Sequence, residues 1–119
     1  MWINGQLTSG KATEKFSVIN PATEEVLDRS WRGTPEDALA AVEAAKAAFP
    51  GWRSTPANQR AAALHEIAAR MRLRHDELVR LLTQEEGKPL PENEEEMWWS
   101  EETFDYYAEL GRHQRGVVT

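Results

Sequence analysis

The sequence contains no cysteine. Disulfides, thiolate metal sites and cysteine nucleophiles are therefore excluded from these 119 residues by composition alone. Nor is there anything near the run of about 18 apolar residues that a membrane helix needs. The longest weakly polar stretch, Ala38 to Phe49, is interrupted by Glu43 and Lys46. Positive charge is also scarce: 14 Lys and Arg stand against 20 Asp and Glu, a net charge of -6, and the bases are scattered among the acids. That removes the electrostatic attraction on which nucleic-acid binding rests, so neither nucleic acid nor a membrane is an expected partner. Met1-Trp2-Ile3-Asn4-Gly5 has neither a basic start nor an apolar h-region, so no signal peptide is expected and the cytoplasm is the expected compartment. Glycine-rich turns of the dinucleotide or phosphate-loop type are missing too. At Gly87-Lys88 the required flanking glycine and hydroxyl residue are replaced by Leu82 and Pro89.

What remains is 40% hydrophobic and 29% charged, the composition of one soluble domain or part of a larger one. Residues 1–33 read as strands. Trp2-Ile3 and Gln6-Leu7 flank Asn4-Gly5, a pair that accepts positive φ and closes a tight hairpin. Phe16 to Ile19 and Glu25 to Trp31 form a second hairpin around Asn20-Pro21-Ala22-Thr23, where asparagine closes an Asx turn. Two such ribbons cannot stand alone and need helices against them.

Residues 34–116 read as about four helices. Thr34 caps the first, Pro35 suits its first turn, Glu36 and Asp37 favour its dipole, and Pro50-Gly51 is the expected end. Ala38, Ala41, Val42, Ala45, Ala48 and Phe49 give it a face of mostly small side chains. Thr55-Pro56 opens a second helix with Leu64, Ile67, Ala68 and Met71 on one side and a break near Leu73 to Asp76. The third carries Leu78, Val79, Leu81 and Leu82 and stops at Gly87. The fourth starts near Pro91, with Glu92 and Glu94 to Glu96 in its first turns, Arg112, His113 and Arg115 in its last, and Gly116 as its end. It carries two apolar stripes, Met97, Phe104, Ala108 and Gly111 on one side and Trp99, Thr103, Tyr106 and Leu110 on another, so one neighbour would leave a stripe uncovered. Residues 117–119, Val117-Val118-Thr119, read as the start of a strand, so the chain is expected to continue.

Few residues carry chemistry of their own. His65-Glu66 opens like a zinc-protease helix motif, but Ala69 stands where the second histidine belongs. His65, His75 and His113 are dispersed and read as solvated or structural. Trp98-Trp99 point about 100° apart on a helix and read as two core contacts rather than a ligand platform.

Taken together, these residues resemble the aldehyde dehydrogenase superfamily along nearly the whole chain. The likeness is carried by Ile3-Asn4-Gly5, by Val18-Ile19-Asn20-Pro21-Ala22-Thr23 with Val26, and by Ala41-Val42 through Ala48-Phe49 with Trp52. Arg60, Leu64, Glu77-Leu78, Glu86-Gly87-Lys88-Pro89 and Tyr106-Tyr107-Ala108 continue it. Gln6-Leu7, where a bulkier aromatic often follows the first turn, and the Trp98-Trp99 pair depart from the pattern.

The resemblance implies an α/β, Rossmann-type parent in which residues 1–119 form the N-terminal part of the cofactor-binding domain. It implies oxidation of a small-molecule aldehyde to a carboxylic acid with NAD or NADP, through a cysteine thiohemiacetal, hydride transfer and glutamate-assisted thioester hydrolysis. Without a cysteine, the nucleophile must lie outside this segment, which alone is expected to be inactive. The implied partners are the remainder of the enzyme chain and further copies of it, as a dimer or tetramer. The resemblance also implies a Na⁺ or K⁺ site formed by the carbonyls of Val18 and Ile19, just before Asn-Pro, and by Glu96, ten positions before Tyr106. An alternative is a free-standing helical interaction module that uses the uncovered stripes to hold a partner.

Overall fold

A computed structural model of the chain describes residues 1–113. The elements run β1 (Trp2–Ile3), β2 (Gln6–Leu7), β3 (Lys15–Ile19), β4 (Val26–Trp31), α1 (Pro35–Ser54), α2 (Ala57–Leu73), α3 (His75–Glu86) and α4 (Leu90–Arg112). They fall into two compact units, Met1–Ser54 and the residues from Thr55 on.

In the first unit β1 and β2 pair antiparallel, Trp2 with Leu7 and Ile3 with Gln6. Asn4 (φ 52°) and Gly5 (φ 73°) between them are both left-handed, as a two-residue hairpin turn whose twist matches its strands requires. β3 and β4 pair from Lys15 opposite Trp31 to Ile19 opposite Val26, with a register shift between Val18 and Ile19. The expected Asx turn is present: Asn20 Oδ1 accepts from the Ala22 amide at 2.9 Å. The small-residue face of α1 meets the first hairpin, where Ala41, Ala44, Ala45 and Ala48 line one shallow depression with Trp2 to Gly5. Val42 and Phe49, expected on that face, stay exposed.

α1 does not stop at Pro50-Gly51 but runs to Ser54. A proline inside a helix removes one N–H and crowds the carbonyl four residues back, here Lys46, at a cost of about 3 kcal/mol. Lys46 lies on an exposed stretch where water can take that carbonyl, and Ser54 Oγ donates to Gly51 O at 3.0 Å, closing the extra turn.

The second unit is a helical bundle in which α4 packs on α2 and α3. Pro56 rather than Thr55 occupies the N-cap position of α2, its carbonyl accepting from Gln59 N and Arg60 N. The expected break falls at Arg74 (φ -115°, ψ 15°), and Gly87 caps α3 in the left-handed conformation (φ 76°). α4 begins at Leu90 and leaves helical geometry at His113, whose amide bonds back to Leu110 O; the expected end at Gly116 and the expected strand at 117–119 lie outside the described residues. The buried apolar residues are few: Ala61 and Ala68 from α2, Val79 from α3, Met97 and Ala108 from α4. Ile67, expected on the packed side of α2, is exposed, and Ala61 takes its place. α4 presents Asn93, Met97, Glu101 and Ala108 to its neighbours, so two polar residues share the stripe with the apolar ones.

Candidate functional site: a charged lattice and an uncovered aromatic face

The residues expected to hold a cation fall in both units. Val18 and Ile19 are consecutive on β3 at the register shift, and Glu96 is on α4. Glu96 already has a cation, because Lys88 Nζ donates to its Oε1, and that contact holds the Lys88 pKa above the ordinary lysine value. A metal ion at this carboxylate would therefore share it with Lys88 or displace it. The rest of the acidic run stays exposed, as a solvated helix start does.

His65 turns away from Glu66, which pairs with Arg70 one turn on (2.7 Å). The His65 ring lies between two carboxylates of α4, its Nδ1 2.6 Å from Asp105 Oδ1 and its Nε2 2.9 Å from Glu109 Oε1. Hydrogen bonds to Asp105 first, then to Glu109, raise its pKa above the usual histidine value, and the same bonds lower those of the two acids. Arg72, two helical turns along α2, donates to Asp105 Oδ2 at 2.6 Å and to Glu102 Oε1 at 2.9 Å. Its Nε lies 3.6 Å from Glu101 Oε2. His75, at the start of α3, bonds Glu101 Oε1 at 2.9 Å. Glu101 is only 3% exposed, and a carboxylate that dry persists because the Arg72 guanidinium lies beside one of its oxygens and the His75 ring hydrogen-bonds the other. His65 and His75 are thus structural, as the sequence suggests, but their partners lie 26 to 44 residues away and leave no local pattern.

A second hub sits in the first unit. Asp37, 4% exposed, accepts from Lys11 N (2.7 Å) through Oδ1 and from Thr34 N (2.9 Å) and Thr34 Oγ1 (3.0 Å) through Oδ2. Its own amide returns a bond to Thr34 Oγ1 at 3.2 Å, a reciprocal cap. These bonds, the Thr34 amide first, lower the Asp37 pKa. The T-x-x-D spacing was the available signal for a role beyond the helix dipole.

The other stripe of α4 is uncovered, as expected from a helix with two apolar sides: Trp99 is 56% exposed and Tyr106 63%. Trp98 and Trp99 do not fill core contacts in this chain. Their rings meet each other edge to face at 4.8 Å, as do Tyr106 and Tyr107 at 5.3 Å, and with Glu102 and Thr103 they line an open groove of about 460 Å³. The core reading fails because the bundle turns the 93, 97, 101 and 108 side of α4 inward, which places 99 and 106 on the outside.

None of this geometry assembles a nucleophile, an oxyanion cradle or a phosphate loop among the described residues. The profile of the aldehyde dehydrogenase family matches residues 7–119. Lactaldehyde dehydrogenase of Escherichia coli is 37% identical over 118 residues, 99% of this chain and 25% of that protein. The NADP⁺ succinate-semialdehyde dehydrogenase of the same species is 33% identical, over 96% of this chain and 24% of its own length. The crystal structure of the E. coli lactaldehyde enzyme superposes with a TM-score of 0.94 over all of this chain and 25% of that one, at 37% identity. An NAD-dependent benzaldehyde dehydrogenase from Corynebacterium glutamicum gives 0.93 over 99% and 26%, at 27% identity. This chain therefore spans about a quarter of the length of the relatives it matches. With two antiparallel strand pairs and four helices among the described residues and a family profile over nearly all of its length, the chain belongs to the aldehyde dehydrogenase family.

Proposed function

We propose that this chain is the N-terminal part of the cofactor-binding domain of a cytoplasmic enzyme that oxidises an aldehyde to a carboxylic acid with NAD or NADP. The observation that carries the reading is coverage: the whole chain matches relatives four times its length while holding no thiol that could attack a carbonyl carbon. The nicotinamide would accept the hydride. This chain has no glycine-rich turn to cradle its phosphates, so the residues that hold it are assigned to the remainder of the enzyme, with the nucleophile. The chain's own work is support: Asp37 fixes the start of α1, and the α2–α4 ion pairs fix the helix that carries the aromatic face. That face is the surface assigned to the remainder of the enzyme or to a second subunit. One relative uses NADP⁺ and one structural neighbour NAD, so both cofactors stay within the proposal.

The test is a comparison of the 119-residue chain with a polypeptide that continues into the rest of the enzyme. Aldehyde-dependent NADH or NADPH production is expected only from the longer protein. Turnover by the pure short chain would refute the reading. The exposed Trp and Tyr rings favour a second one, a free-standing module whose aromatic face holds a partner. A monomeric chain with a sharp, concentration-independent thermal transition supports that alternative.

The cation site at the Val18 and Ile19 carbonyls and Glu96 is part of the same proposal. Adjacent carbonyls with one carboxylate match the oxygen ligands a hard cation takes. Glu96→Gln is expected to abolish K⁺-dependent thermal stabilisation of the complete enzyme. Dependence that survives the substitution would reduce Glu96 to its ion pair with Lys88 and its place near the helix start.

A further inference from the structure

Both ring nitrogens of His65 face carboxylate oxygens at hydrogen-bond distance, Nδ1 at 2.6 Å and Nε2 at 2.9 Å. A carboxylate only accepts, and a neutral imidazole has one N–H to give. Two such bonds at once need two N–H donors. The charge around the ring asks for the same state. From α4, Glu101, Glu102, Asp105 and Glu109 gather along the side that faces α2, and His113 borders the groove that Asp105 and Glu109 line. Against these four acids stand two permanent cations, Arg72 of α2 and Arg112 of α4, the latter 3.2 Å from Glu109. α3 contributes His75 on Glu101, and on α2 Glu66 and Arg70 satisfy each other.

We infer that His65 is held as an imidazolium between Asp105 and Glu109 and forms a proton-dependent clasp between α2 and α4. Loss of the proton turns one ring nitrogen into a lone pair aimed at a carboxylate, converting an attraction into a repulsion at the same distance. The clasp then keeps Arg72 and the one N–H left on the neutral ring, and the four carboxylates face one another with one donor and one positive charge fewer. The sign follows from the raised histidine pKa. The contribution is complete below the unfolded histidine value near 6.5 and is lost as pH rises through the higher folded value. The clasp is therefore shut on the acid side of that transition and opens on its alkaline side.

The chain has three histidines, so uniform ¹⁵N-histidine labelling resolves them. The expected result is that both His65 ring nitrogens show the protonated ¹⁵N shift at pH 7, and that the ring titrates above the ordinary histidine range. Asp105→Asn and Glu109→Gln should each lower that midpoint, and the pair should lower it further. Amide exchange in α4 around Asp105 and Glu109 should accelerate across the same titration in the native chain and remain flat in His65→Arg, where the charge cannot leave. One protonated and one bare ring nitrogen at pH 7 would overturn the inference from the native protein alone, whether or not any variant folds. So would a midpoint indifferent to both carboxylate substitutions, or alkaline exchange that persists in His65→Arg.

Discussion

Adding a single methyl group at Gly10 is expected to damage the first unit far more than the same change at Gly5. Both glycines have positive φ, 62° and 73°, where an L side chain costs about 1 to 2 kcal/mol. Around Gly5 the new Cβ would meet nothing within 4 Å. At Gly10 it would lie 2.1 Å from Asp37 Oδ1, 2.7 Å from Asp37 Cγ and 3.1 Å from Met1 Cε. The oxygen would have to retreat by about 0.9 Å to reach the shortest approach real Cβ atoms show. That oxygen accepts the 2.7 Å bond from Lys11 N, which a displacement of such size weakens in length or angle. Crowding of this kind typically adds about 1 to 3 kcal/mol, so Gly10→Ala should cost about 2 to 5 kcal/mol against about 1 to 2 for Gly5→Ala. Hydrogen exchange at the Lys11 amide reports the local loss directly, and thermal denaturation reports the whole. The Asp37 carboxyl should also titrate closer to its ordinary value in Gly10→Ala while staying below it, because the Thr34 amide, the larger cause of its depression, is untouched. Equal costs at the two glycines, or a Lys11 amide as protected in Gly10→Ala as in the native chain, would refute the reasoning.

Three further expectations concern other parts of the chain. Met97→Ala, which empties a 6%-exposed position on the packed side of α4, should lower stability by about 2 to 5 kcal/mol in urea titration, whereas Trp99→Ala on the open side should cost much less. Because bonding lowers the Asp37 pKa, its contribution is present above the ordinary carboxylate value near 3.8 and is lost as pH falls through the lower folded value; exchange at Thr34 N and Lys11 N should accelerate through that acid window and not above it. The chain alone should self-associate, with a sedimentation coefficient that rises with concentration, and Trp99→Glu with Tyr106→Glu should suppress it.

Where a residue's conformation is decided by its neighbours in sequence, the sequence was a sufficient guide. Asn4-Gly5 could only be a tight turn, Asn20 closes its own loop, and Gly87 is the one residue near the end of α3 that takes left-handed geometry without strain. The same reasoning overestimated Pro50, because a local rule against proline does not see that the helix around it is exposed and can pass its orphan carbonyl to water. It also misread the inner side of α4. Apolar periodicity picks out Met97 and Ala108 but passes over Asn93 and Glu101, which are buried because Thr83, Arg72 and His75 come to meet them from other helices. Partners at such separations leave no trace in a window of one or two turns. The family likeness was legible because it rests on the order of many weak matches, each placed at a turn or helix end that the backbone needs.

The two bonds of His65 close loops of 40 and 44 residues, whereas the bond from His75 to Glu101 closes one of 26. During synthesis α2 leaves the ribosome before the helix it binds. At about 5 to 20 residues per second it waits roughly 2 to 9 s for Asp105 and Glu109 to follow. Through that interval the α2 surface that becomes Ala61 and Ala68 in the bundle has no α4 to cover it. That surface stays open to chaperones and proteases for the seconds before the ion pairs that hold it can be made.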